Sequence, residues 1–204
     1  MKTIQRYTDG ERMTHWVVAL TFVLAALSGL AFFHPAFFFL SNLFGGGSWT
    51  RILHPFIGLV MFVAFLSMAR HHWADNKMTD VDREWSKKAR DLIMGRHPQM
   101  PPAGKFNAGQ KRLFTVLVVS TAVLLVTGLA IWRPWFAPYL SITLLRVAVL
   151  LHSISATVMI LAIIGHIYMA IWTKGSILAM TRGRVSESWA KLHHPAWLRE
   201  MVRK

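Results

Sequence analysis

His152 and His166 stand fourteen residues apart inside one apolar run, Val147 to Thr173, that holds no Asp, Glu, Lys or Arg. On an α-helix that spacing is about 21 Å of rise and about four turns, so both imidazoles leave one face at two depths of a bilayer. His15 and His54 lie in two other apolar runs. Neutral imidazole is the usual axial ligand of haem iron. Two depth-matched pairs of histidines would hold two haems in series, an electron wire across a membrane. A lone histidine in a span is more often a hydrogen-bonded packing residue. Four at matching depths shift the balance, because buried polar groups in lipid need a partner or a function.

The elements that must position these rings are visible in the hydropathy. The chain has 204 residues, 54% of them hydrophobic. Apolar stretches long enough to span lie at about 13–33, 51–70, 111–132 and 146–173. Each is too long for a buried strand, and a β-barrel would need alternating segments of about ten residues instead. The expected fold is all-α: one integral membrane domain over 1–204, a four-helix bundle binding two b-type haems. Residues 71–110 form its long middle loop and 174–204 its tail. The first run exceeds the apolar core of a signal peptide, has no Ala-x-Ala type cleavage site after it, and carries His15, so it is read as a permanent helix.

The net charge of +14 could point to nucleic acid, but its distribution points elsewhere. Lys and Arg crowd into Arg70–Arg112 and Lys174–Lys204, with Lys2, Arg6 and Arg12 ahead of the first span. The His34–Thr50 connection has none, and the third connection has only Arg133 and Arg146. This alternation is the positive-inside pattern, which places both termini and the middle loop in the cytoplasm. No DNA- or RNA-recognition module is present, so no nucleic-acid partner is expected. The chain has no cysteine, which excludes disulfides, thiolate metal sites and iron–sulfur ligation within it.

Orientation assigns depths. The first span enters from the cytoplasm, so His15 lies near the inner face. The second and fourth enter from outside, which puts His54 and His152 at the outer level and His166 at the inner one. The pairs are therefore His54 with His152 and His15 with His166. Gly29, fourteen residues after His15, and Gly128 lie near the outer level, where a porphyrin edge needs a missing side chain or where helices simply pack closely. Arg51, Arg133 and Arg146 at the outer margin and Arg12 at the inner one suit either haem propionates or headgroup anchoring. His34, His71, His72, His97, His193 and His194 are read as solvated or interface residues, because their spacing offers no complete zinc site.

The connections carry less. Pro35 and Gly45-Gly46-Gly47 break the outer loop, whose Phe-rich Ala36–Phe44 stretch is expected to skim the interface. Trp85, Leu92 and Ile93 amid mixed charges predict a short amphipathic surface helix near Asp82–Met94, ended by Pro98, Pro101, Pro102 and Gly104. The basic, Trp-dotted tail is expected on the membrane surface or on a partner. No clear internal repeat is apparent.

Several separated blocks then carry a resemblance. They are Arg51-Ile52-Leu53-His54-Pro55-Phe56, Phe106-Asn107-Ala108-Gly109-Gln110-Lys111 and Trp132-Arg133-Pro134-Trp135-Phe136, followed by His166-Ile167-Tyr168-Met169-Ala170, Trp172-Thr173-Lys174-Gly175-Ser176 and Trp189 to Pro195. In order and spacing, from about Arg6 to Arg199, the chain resembles the cytochrome b556 (gamma) subunits of respiratory formate dehydrogenases. Trp135 and Leu192 stand where Tyr and Lys would be expected.

The resemblance implies a multi-pass anchor in the bacterial cytoplasmic (inner) membrane. Its expected partners are an iron–sulfur (beta) subunit and a catalytic (alpha) subunit with a molybdenum or tungsten bis-pterin centre, on which formate is oxidised. Electrons would pass from the iron–sulfur subunit through the outer and then the inner haem b to a membrane quinone, menaquinone or ubiquinone. The implied ligands are His54 and His152 for the outer haem and His15 and His166 for the inner, the pairs that depth also selects. The implied quinone pocket lies at Asn107, Gly109 and Gln110. There two side-chain amides could donate hydrogen bonds and a glycine admits close approach, although Asn107 also suits a helix N-cap. Related readings are a cytochrome b anchor of a membrane-bound hydrogenase or similar reductase and, from another class, a haemless transporter whose histidines line a proton path.

Overall fold

The computed structural model describes residues 2–96 and 99–203, with the side chains of residues 90, 92 and 93 left aside. His97 and Pro98 lie outside the described residues. Four helices are long and apolar enough to cross a membrane: α1 (Asp9–Phe33), α2 (Gly47–His72), α4 (Ala108–Ala130) and α5 (Ile142–Trp172). A shorter helix, α3 (Asp80–Ile93), lies in the middle loop, close to the amphipathic segment the sequence predicts. The tail adds α6 (Ser176–Arg182), α7 (Glu187–His193) and α8 (Pro195–Arg203). The chain is mostly helical, as expected, with one short ladder besides. Strand β1 (Thr3–Gln5) pairs antiparallel with β2 (Arg184–Ser186), Ile4 opposite Val185.

The chain divides into two compact units. One, residues 13–69 and 116–165, holds most of the four long helices. Its interior inverts that of a soluble protein. The buried positions are mainly small or hydroxylated, with Ser28, Ala31, Thr50, Ser120, Thr121, Thr127 and Ala148 among them, while Leu20, Val63, Val126 and Leu161 are exposed. Lipid tails are as apolar as leucine, so helices gain by close packing through small residues and leave large ones to the hydrocarbon. Hydroxyls return to their own helices, as Thr21 Oγ1 does to the Val17 carbonyl at 2.7 Å, so the backbone and the side chains stay satisfied without water. Between α1 and α2 the Phe-rich segment, expected to skim the interface, forms a 3-10 helix, Pro35–Phe44. The His34 side chain caps it, accepting from the Ala36 amide, and left-handed Gly45 ends it.

The other unit comprises residues 1–12, 70–115 and 166–204. Its core gathers Tyr7, Ala179, Val185, Ala190 and Trp197 around the β1–β2 ladder. Gly183 leads into β2 with φ +74°, and a Cβ there would stand 2.7 Å from the Tyr7 carbonyl oxygen. Only glycine accepts both conditions. Three reciprocal capping boxes start helices here, Thr8 with Glu11, Thr79 with Asp82 and Asn107 with Gln110. Each satisfies two amide donors that the first turn leaves open.

Candidate haem-ligand site

His54 on α2 and His152 on α5 meet within the first-described unit, their ring centres 6.3 Å apart and their planes at 72°. That separation has a chemical meaning. Two imidazoles bound to opposite sides of one metal, each at about 2.0–2.1 Å, put their ring centres roughly 6 Å apart. The donor set and its spacing therefore fit a bis-imidazole haem iron.

Each ring rests on a neighbouring helix in the same way. Ser28 Oγ lies 2.8 Å from His54 Nδ1, and Thr127 Oγ1 lies 2.9 Å from His152 Nδ1. With Nδ1 engaged on both rings, Nε2 is the nitrogen left for a ligand. Directly after these hydroxyls come Gly29 and Gly128, where a Cβ would stand 3.2 Å from Cε1 of His54 and of His152 respectively. These glycines clear room for the imidazoles themselves, a closer reason than the porphyrin edge of the sequence reading. Pro55, interior to α2 directly after His54, leaves the Arg51 carbonyl without its helical donor.

His15 stands on α1 with its ring edge-on to Trp16 at 5.3 Å, and His166 stands on α5. These two fall in different units, and their pairing rests on depth and on the resemblance. Arg12 is held by Asp9 at 2.6 Å and by the Thr181 carbonyl, so its side chain is committed within the chain. Arg51, Arg133 and Arg146 are exposed and make no ion pair among the described residues.

Asn107, Gly109 and Gln110 come together at the first turn of α4. The Asn107 side-chain oxygen accepts from the Gln110 amide and the Gln110 oxygen from the Asn107 amide, both at 2.9 Å. The two NH2 groups take no part in that exchange. Trp85 of α3 covers Gly109, with ring carbons 3.6 Å and 3.9 Å from where a Cβ would stand. An indole of the chain itself thus lies against this glycine.

Two clusters escaped the sequence reading. Glu11, His71 and His72 bring ligand-type atoms within 4.8 Å of one another. Lys105 lies 3.5 Å from Glu11 and 3.2 Å from Asp75, which makes this a mixed-charge ion-pair network. His194 is the clearer correction, since it is 3% exposed rather than solvated. Its Nδ1–H donates to the Gly104 carbonyl at 2.8 Å, and Nε2 accepts from Arg6 Nη2 at 3.1 Å. Arg6 also donates to the Lys105 carbonyl and lies 5.0–5.4 Å from the ring centres of Tyr7, Trp189 and Trp197. Burial first, and then the Arg6 guanidinium, push the His194 pKa down to about 4.

The sequence did carry a sign of the paired supports, and the absence of a repeat has to be corrected. Ser28-Gly29-Leu30-Ala31 with Pro35 recurs as Thr127-Gly128-Leu129-Ala130 with Pro134. Each copy ends a span, and each supports the histidine of the following long helix.

Four apolar spans with a facing, hydroxyl-supported histidine pair among them define a membrane cytochrome of the b type. The chain belongs to the prokaryotic cytochrome b561 family, whose profile matches residues 6–183. It is 45% identical to the cytochrome b556(fdo) subunit of formate dehydrogenase from Escherichia coli K12, over 99% of this chain and 94% of that one. The nitrate-inducible formate dehydrogenase cytochrome b556(Fdn) subunit of the same organism is 42% identical, over 98% and 92%. The cytochrome b556 subunit of formate dehydrogenase from Haemophilus influenzae is 41% identical, over 98% and 84%.

Proposed function

We propose that this chain is the membrane-anchoring dihaem subunit of a bacterial formate dehydrogenase, carrying electrons from an iron–sulfur subunit to a quinone in the cytoplasmic membrane. Formate oxidation itself belongs to a molybdenum- or tungsten-containing partner subunit. The single observation that carries the reading is the His54–His152 pair, 6.3 Å between ring centres, each ring held at Nδ1 by a hydroxyl. The high identity to formate dehydrogenase cytochrome b556 subunits over nearly the whole chain supports the choice of complex.

His54 and His152 would hold the outer haem b, and His15 and His166 the inner. When bound, the two haems supply one-electron chemistry at two depths. The chain's own part is to present four neutral imidazoles in a medium without water, where a protonated ring would be costly. At the inner margin, the NH2 groups of Asn107 and Gln110 are the donors offered to a quinone oxygen. Protons for quinone reduction would come from the cytoplasmic side, so turnover separates charge across the membrane.

The test begins with the spectrum of the purified complex. Two b-type haems should be reduced by formate, and His152→Ala should chiefly remove one of them and halt electron flow to quinone. Full haem stoichiometry in His152→Ala would rule out the ligand assignment. The quinone site is tested separately. The Asn107→Ala, Gln110→Ala double variant loses contacts worth roughly 0.5–1.5 kcal/mol each, so formate should still reduce both haems while their reoxidation by quinone slows. Unchanged quinone kinetics would reduce these residues to a helix start.

A further inference from the structure

We infer that Ser28 and Thr127 are positioning residues that fix the tautomer of His54 and His152, presenting Nε2 as the proton-free nitrogen before any metal arrives. This rests on the reading of those histidines as ligands of one haem.

Ser28 Oγ lies 2.8 Å from the Leu24 carbonyl and 3.1 Å from that of Ala25. Thr127 Oγ1 lies 2.6 Å from the Val123 carbonyl and 3.4 Å from that of Leu124. A hydroxyl has one proton, and a carbonyl oxygen can only accept. Directed at those carbonyls, the proton of each hydroxyl stays inside its own helix, and the oxygen turns lone pairs towards the imidazole. In that arrangement His54 Nδ1 and His152 Nδ1 carry the hydrogen. With Ser28 fully buried and Thr127 7% exposed, no bulk water stands by to reverse the roles. The other tautomer would require each hydroxyl to turn its proton away from its own helix to Nδ1, and would put a hydrogen on the Nε2 that a metal needs.

The glycine that follows each hydroxyl belongs to the same device. Cε1 joins the two ring nitrogens, and it is the atom that a Cβ at Gly29 or Gly128 would press at 3.2 Å. A bare Cα lets the ring come close enough for the preceding hydroxyl to reach Nδ1. That one dipeptide step meets one histidine, and it occurs twice, on α1 and on α4. An acceptor on Nδ1–H also makes the imidazole more basic, which favours the more highly charged oxidation state of a bound iron.

The test uses the assembled complex and reads the midpoint potential and the low-spin electron paramagnetic resonance signal of each haem. The variants are Ser28→Ala, Thr127→Val, which keeps the shape without the hydroxyl, and Thr127→Ser, which keeps the hydroxyl. One haem should rise in potential in Ser28→Ala and in Thr127→Val, and further in their double variant, while the other haem stays put and Thr127→Ser matches the parent. Unchanged potential and resonance signal in the double variant would overturn the inference. So would a Thr127→Ser variant displaced as far as Thr127→Val, since shape alone would then be responsible. If Thr127→Val fails to hold the haem, retention by Thr127→Ser supports the inference and loss by both overturns it. His152→Ala run in parallel separates the two failures, because full haem content there defeats the ligand reading itself.

Discussion

An imidazole binds a metal only through a nitrogen without a proton, so what touches the other nitrogen is as much part of the site as the ring. In this chain that contact comes from hydroxyls, and the space for it comes from glycines, which makes a methyl group a sharp probe. Gly128→Ala would put a Cβ 3.2 Å from the His152 ring. Overpacking of this kind costs about 1–3 kcal/mol, and here the cost falls on a ring with a fixed task. Thermal melting of the complex should drop and one haem should be depleted. Gly58→Ala, with nothing within 4 Å of its added carbon, should do neither; equal losses in both variants would mean that small residues matter only for helix packing. The four histidines are legible in the sequence because a polar ring stands out in an apolar run. Ser28 and Thr127 are not, because a hydroxyl in a span can always satisfy itself on its own helix. Only the recurrence of the Ser/Thr-Gly step marks them.

At the scale of elements, the long helices follow directly from apolar length, whereas β1 and β2 do not. Three-residue strands are too short to show alternation, and residues 3–5 and 184–186 pair across nearly the whole length of the chain. What holds that fold is the contact of Arg6 with His194, the Lys105 carbonyl and three aromatic rings. The same unit also holds a paired buried charge, where Lys111 Nζ stands 2.6 Å from Asp82 Oδ2. Burial alone would raise the Asp82 pKa, but hydrogen bonds from Lys111 and Thr79 hold it below the usual carboxylate range. His194 gives this unit a pH dependence whose sign can be stated. Its pKa is about 4 when folded, against 6.5 as the ordinary value. Between those values the unfolded tail binds a proton that the folded one refuses, so stability is full above about pH 6.5 and falls towards pH 4. The loss by pH 4 is about 2–3 kcal/mol. Hydrogen exchange in residues 174–203 should quicken across that window, and His194→Gln should flatten the slope whatever it does to absolute stability. A flat profile in the parent protein would show that His194 takes up its proton without leaving Arg6.

For the whole molecule, charge rather than packing sets direction. The apolar faces of α1, α2, α4 and α5 say that these helices lie in lipid, and they say it equally for either orientation. Lys and Arg break the tie. They fill residues 70–112 and 174–204 and are absent from His34–Thr50, and such clusters are retained on the cytoplasmic side. The proposed orientation would in turn set the sense of the proposed electron path, with His54 and His152 at the outer level and Asn107 and Gln110 on the side from which quinone would draw protons. A reporter enzyme fused at Gly46, within the stretch free of basic residues, should therefore read periplasmic, and one fused behind Lys204 should read cytoplasmic. Replacing Arg and Lys in 70–112 with neutral residues should weaken that difference, whereas the same number of replacements behind residue 174 should matter less, because the middle loop flanks two spans and the tail only one. Two readings on the same side in the parent protein would end both the four-span arrangement and the depth pairing of the histidines that depends on it.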